Sequence, residues 1–198
     1  MEPAKDDLNA ALEEDDELTE EATLGYAQID ILDLPLAFGT WNVRQVSAIE
    51  VTRIQESMEK EGVQRYRPQN FLPIAVRKES IDVAKLAQNP RAGHRLPNLA
   101  VAWTEGQPES IIACGGQHRR EALKKILEAL EKEGKRLLAA LEKEKEKAGG
   151  FVAQMTRELD SHKQRMRLMG LWGVCIYDLS EFLSLIDSRK VLNTCRFN

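Results

Sequence analysis

Between residues 110 and 123 the chain reads Ser-Ile-Ile-Ala-Cys-Gly-Gly-Gln-His-Arg-Arg-Glu-Ala-Leu. No other stretch constrains the fold as much. An apolar run suited to a strand, Ser110–Cys114, stops at a glycine pair, and a helical stripe begins directly after it. Ala122, Leu123, Ile126, Leu127 and Leu130 recur at helical spacing. A strand therefore feeds a helix through two residues that tolerate positive φ and close backbone approach. The first turn of that helix carries His118, Arg119 and Arg120. First-turn amides lack intrahelical partners, and the helix dipole is positive there. Cationic side chains in the same place oppose the dipole unless an anion sits among them. These residue types at this spacing suit a phosphate. A glycine turn followed by solvated surface bases fits the same letters.

Charge is unevenly divided along the chain. Residues 1–23 hold ten acidic residues and one base, a net of −9, so the total of −4 leaves +5 on residues 24–198. Residues 1–27 read as an acidic, disordered leader, because like-charge repulsion outweighs its few apolar residues. With 42% hydrophobic residues the chain has enough for one core. No run reaches the roughly 18 apolar residues of a membrane span. The acidic start also lacks the apolar region of a secretory signal. Three widely spaced cysteines, Cys114, Cys175 and Cys195, suit a reducing compartment better than a disulfide framework. The expected location is intracellular, cytoplasmic or nuclear, with no membrane partner.

The remaining elements follow from periodicity and punctuation. Gln28–Leu34 reads as a strand and residues 38–44 as a loop. Ser47 and Glu50 have capping-box spacing, and Val51, Ile54 and Met58 share one helical face that stops at Gly62. Phe71–Arg77 is a strand whose Pro73 suits an edge or a strand start. A helical turn is expected at Ile81–Ala87, then a loop to Pro97. Leu99–Trp103 and Ser110–Cys114 read as a hairpin. Leu137, Leu138 and Leu141 extend the long helix past Gly134. Residues 142–147 alternate Glu and Lys and should stand in solvent, held by weak i,i+4 pairs. After Gly149-Gly150 a second helix covers 151–168. Gly170–Asp178 is a buried strand, and Ser180–Ile186 a short helix.

Other chemistry-bearing residues are scattered. Histidines and cysteines show no zinc spacing. His94 and His162 are expected in solvent, and Cys114 in the core. Trp103 and Trp172 read as core, leaving Trp41 as the tryptophan to test for base stacking. Arg157, Lys163, Arg165 and Arg167 make a locally basic helix.

The ordered boxes resemble a known family. Gly116-Gln117-His118-Arg119-Arg120-Glu121-Ala122 resembles the G-E-R-R-x-x-A box of ParB amino-terminal domains. With Gly115 it also resembles the G-G-C-H-R box of sulfiredoxin. Upstream, Asn42-Val43-Arg44 resembles the N-P-R box of that superfamily. The stretch Ile54–Val63 resembles its L-x-x-S-I-x-x-x-G-V helix end, and Leu72–Arg77 its P-I-x-V-R strand. Trp172–Asp178 would be a later strand displaced by an insertion. Residues 1–27 and about 128–170 fall outside the resemblance.

The resemblance implies an α+β fold: a small mixed-sheet ParB/sulfiredoxin-like core over 28–127 with a charged helical insertion over 128–170. The last core strand and a short helix would occupy 171–187, and a tail 188–198. It implies a nucleoside triphosphate, ATP or CTP, with or without Mg²⁺, held by Gly115, Gly116, Gln117, His118, Arg119 and Arg120. Arg77 and Arg44 are the outlying candidates. Gln117 stands where sulfiredoxin has its reactive cysteine, so sulfinic-acid reduction is not expected. NTP hydrolysis or phosphoryl transfer stays open, and no catalytic residue or metal ligand is assigned. The alternative is a non-catalytic module that binds DNA, RNA or a protein, using the basic helix or the charged insertion.

Overall fold

The structure is a computed structural model that describes residues 22–38, 45–101, 111–147 and 150–187. Among these residues the strands are β1 (Thr23–Asp30), β2 (Leu36–Phe38), β3 (Leu72–Val76), β4 (Ile111–Ala113) and β5 (Leu171–Asp178). The α-helices among these residues are α1 (Ala48–Glu61), α2 (Gln117–Glu146), α3 (Val152–Arg167) and α4 (Leu179–Asp187). The strands form one mixed sheet in the order β1-β5-β3-β4-β2. β5 lies antiparallel to β1 and parallel to β3; β4 lies antiparallel to β3 and parallel to β2. The fold is α+β.

Alternation of side chains places the core. Ala27, Ile29, Leu72, Ile74, Val76, Trp172, Val174 and Ile176 pack with Leu123, Ile126 and Leu130 of α2 in one buried cluster. Burying each large aliphatic side chain contributes about 2 kcal/mol. A smaller cluster joins Ala75 and Cys114 to Phe182 of α4. The free edge of β1 is shielded by an irregular segment. The Tyr26 and Ala87 backbones exchange hydrogen bonds, and Gln28 pairs with Pro97 and Leu99 in the same way. This removes an exposed pairing edge.

Several sequence expectations change. The strand expected at Gln28–Leu34 runs earlier, and the leader drawn to residue 27 overlaps it: β1 begins at Thr23, which pairs with Tyr177. It ends at Asp30, whose Oδ1 accepts the amides of Leu32 (2.9 Å) and Asp33 (3.2 Å) and turns the chain. The hairpin does not form as expected. Val101 makes an isolated bridge with Ile81, while β4 pairs with β3 and β2; residues 102–110 lie outside the described part.

Pro73 sits in the central strand rather than at an edge, as its second residue. Its carbonyl accepts the Cys114 amide at 2.9 Å just past the end of β4, so its missing N–H falls where that ladder stops. α2 runs unbroken through residue 127, the expected boundary between core and insertion.

Candidate functional site

β4 stops at Ala113, and the chain turns through Gly115 and Gly116 into α2. Gly116 has φ +86° and caps the helix in the left-handed region. A Cβ there would run into the side chain of Leu72 at the start of β3. Both facts require glycine. The Arg120 amide donates to the Gly116 carbonyl at 3.0 Å, the first bond of the helix ladder. The amides of Gln117, His118 and Arg119 precede it. Among the described residues no acceptor meets them.

Each base after the turn has a partner in the fold. The Ser47 amide donates to His118 Nε2 at 3.0 Å. Ser47 is the N-cap of α1, and its Oγ accepts the Glu50 amide at 3.4 Å. One half of the expected capping box is thus present, while His118 takes the amide that Glu50 would otherwise reach. Arg119 Nη1 donates to the Asn70 carbonyl at 3.1 Å, and Trp172 Nε1 donates to the same oxygen at 2.8 Å. Burial pushes the Arg119 guanidinium below its ordinary pKa. Arg120 Nε donates to the Ile31 carbonyl at 2.8 Å, and its guanidinium lies 6.0 Å from the Phe38 ring centroid. A guanidinium has five N–H donors, so these contacts leave others on each arginine.

The outlying candidates separate from this group. Arg77 follows the last residue of β3, whereas Gly116 packs on Leu72, the first. Because β4 runs antiparallel to β3, the glycine turn emerges at the far end of that strand, about 16 Å of extended chain away. Arg77 therefore does not join the cradle as expected. Arg44, along with Trp41, lies outside the described residues.

His162 overturns the expectation of a solvent histidine: it is 4% exposed. It lies on the seam of the α2–α3 hairpin, on the helical stripe Met155, Leu159, His162, Met166. That spacing is the signal that could have found it. Its Nε2 lies 2.8 Å from the Leu130 carbonyl, which can only accept, so Nε2 carries the proton. Nδ1 faces Arg165 Nη2 at 3.3 Å and Glu133 Oε2 at 3.6 Å. Gly134 makes room for the ring, since a Cβ there would be 3.0 Å from Nε2.

The basic helix is divided by this seam. At about 100° per residue, Arg157 and Arg165 fall on one flank of α3, Lys163 and Arg167 on the other. Arg165 is also paired with Glu133 at 3.1 Å. His94 is exposed, Cys114 and Trp172 are buried in the core, and burial raises the pKa of the Cys175 thiol. Among the described residues no group of three or more His, Cys, Asp or Glu side chains could hold a metal ion. No helix among them is long and apolar enough to cross a membrane.

Comparison with curated proteins returned no match, and neither did comparison with solved structures. Residues 24–134 match a family described as the N-terminal domain of a protein of unknown function, DUF3723. The match spans β1 to the middle of α2 and includes the glycine turn with its three bases. On that match, which covers more than half of its length, the chain belongs to the DUF3723 N-terminal domain family.

Proposed function

We propose that the turn from β4 into α2 binds a phosphate-bearing ligand, and that the ligand is a nucleoside triphosphate, ATP or CTP. The observation that carries this reading is the bond between the Ser47 amide and His118 Nε2. It sets the start of α1 beside the start of α2, so two helix dipoles bring their positive ends to one place. The amides of Gln117, His118 and Arg119, unpaired among the described residues, are donors for phosphate oxygens, and Gly116 keeps side-chain bulk away from them. The remaining guanidinium donors of Arg119 and Arg120 add charge-assisted bonds. The ordered boxes that resemble ParB and sulfiredoxin domains supply the ligand class.

The residues present fit a binding role better than covalent chemistry. Gln117 is no nucleophile. In any hydrolysis or phosphoryl transfer, the bases would stabilise charge on the moving phosphoryl group. Mg²⁺ would enter on the triphosphate, since the described residues form no cluster to hold it beforehand.

Isothermal calorimetry with ATP, CTP, GTP and UTP, with and without Mg²⁺, tests the proposal. At least one nucleotide should bind below millimolar concentration. Arg119→Ala should weaken it by about tenfold or more, as expected for a lost charge-assisted bond. Circular dichroism confirms that the variant is folded. Failure of all four nucleotides to bind the parent protein overturns the reading.

A further inference from the structure

We infer that His118 is a latch between two helices, so that the stability of the start of α1 depends on what occupies the start of α2. The ligand half of this inference rests on the proposed function. The latch itself rests on geometry alone. Ser47 N–H donates to Nε2, so that nitrogen holds its lone pair toward α1 and the ring proton of a neutral imidazole sits on Nδ1. A side chain 71 residues away thereby satisfies a backbone donor that a capping box would satisfy locally.

Among the described residues little else holds this end of α1. Val51 is the helix's one buried side chain, Ile49 is 80% exposed, and Val46 before the cap is 41% exposed. The first turn is thus anchored by Val51, by the Ser47 hydroxyl and by the imidazole. A phosphate oxygen that takes Nδ1–H would fix the ring and polarise Nε2 as an acceptor, strengthening its bond to Ser47. Coupling of this kind is reciprocal: whatever tightens the cap of α1 also favours the phosphate.

Amide hydrogen exchange at residues 51–54 tests both halves. Val51 N bonds to Ser47 O at 3.0 Å, so these amides report on the first turn. Without ligand, Ser47→Ala removes the hydroxyl and keeps the N–H, whereas Ser47→Pro removes both. His118→Gln keeps an acceptor, and His118→Leu keeps none. Exchange should be about fivefold faster in Ser47→Pro than in Ser47→Ala, and in His118→Leu than in His118→Gln, the size expected for one hydrogen bond.

Should Ser47→Pro not fold, the His118 pair decides alone. Equal exchange between His118→Leu and His118→Gln overturns the latch. The ligand arm adds sodium tripolyphosphate, ATP or CTP to the parent and to His118→Leu, with calorimetry in parallel. Slowing of exchange by about fivefold in the parent and not in His118→Leu supports the coupling. Binding with no change at residues 51–54 overturns the coupling and leaves the proposed function standing. No binding to the parent overturns both.

Discussion

Two aspartates in this chain act in the same way at opposite ends of the antiparallel β1–β5 pair. Asp30 Oδ1 gathers the amides of Leu32 and Asp33 after β1, and Asp178 Oδ1 gathers those of Ser180 (2.8 Å) and Glu181 (3.5 Å) after β5. The Ser180 hydroxyl donates to Asp178 as well. Burial works against a charged Asp178, but the Ser180 hydroxyl and the two amides outweigh it and hold its pKa below the ordinary value. A lowered carboxylate pKa stabilises the fold above the unfolded value of about 4, and that contribution is lost as pH falls through the folded value. Asp178→Asn removes this pH-dependent contribution. Between pH 7 and pH 3 the urea midpoint of the parent should drop further than that of Asp178→Asn; equal drops would show that Asp178 plays no part in the acid limb.

The same scale shows what single residues disclose in a sequence. His118, Arg119 and Arg120 are legible as a basic cluster at a helix start. Their partners are an amide and two backbone carbonyls, brought in from Ser47, Asn70 and Ile31 by tertiary structure. Backbone groups carry no residue signature, so the second role of each base stays hidden until the chain is folded.

Among elements, those with both a start signal and a periodic stripe are the legible ones. α1 begins one residue after Ser47 as its box requires, and α2 and β5 lie where their apolar patterns put them. β1 shows the limit of this reasoning. Thr23–Tyr26 has no strand alternation of its own and is extended because it pairs with Cys175–Tyr177.

Gly134 is a second case. Mid-helix glycine costs about 1 kcal/mol against alanine, so local propensity argues against it. It is retained where the buried His162 ring crosses, at a distance that a methyl group would make tight. The ring is held by its bond to the Leu130 carbonyl and cannot yield freely. Gly134→Ala should therefore lower thermal stability, by about 1 kcal/mol net, despite its better helix propensity. A rise in Tm would show that the hairpin gives way at this crossing.

For the molecule as a whole, the family match and the sheet have different extents. The match ends at residue 134, yet β5 lies between β1 and β3 and supplies Trp172, Val174 and Ile176 to the core. At about 2 kcal/mol for each large buried side chain, β5 contributes as much as the whole margin of a small domain. A fragment of residues 24–134 should show no cooperative urea transition, whereas residues 22–187 should. A cooperative transition in the short fragment would show that the sheet closes without β5. Strand order is not legible in the sequence, because each pairing joins segments that share no local signal.

The position of β5 also bears on the order in which the protein is made. Of the described strands it is the last to leave the ribosome, and it enters the middle of the sheet rather than its edge. Gln28 waits for Gly173 across nearly the full span of the domain. Until then β1 and β3 each present an unpaired flank, and the long charged α2 and α3 emerge before β5 arrives to fill the gap. Synthesis rate across residues 117–170 therefore sets how long two sticky edges stay open, and slow translation there would favour aggregation or chaperone capture.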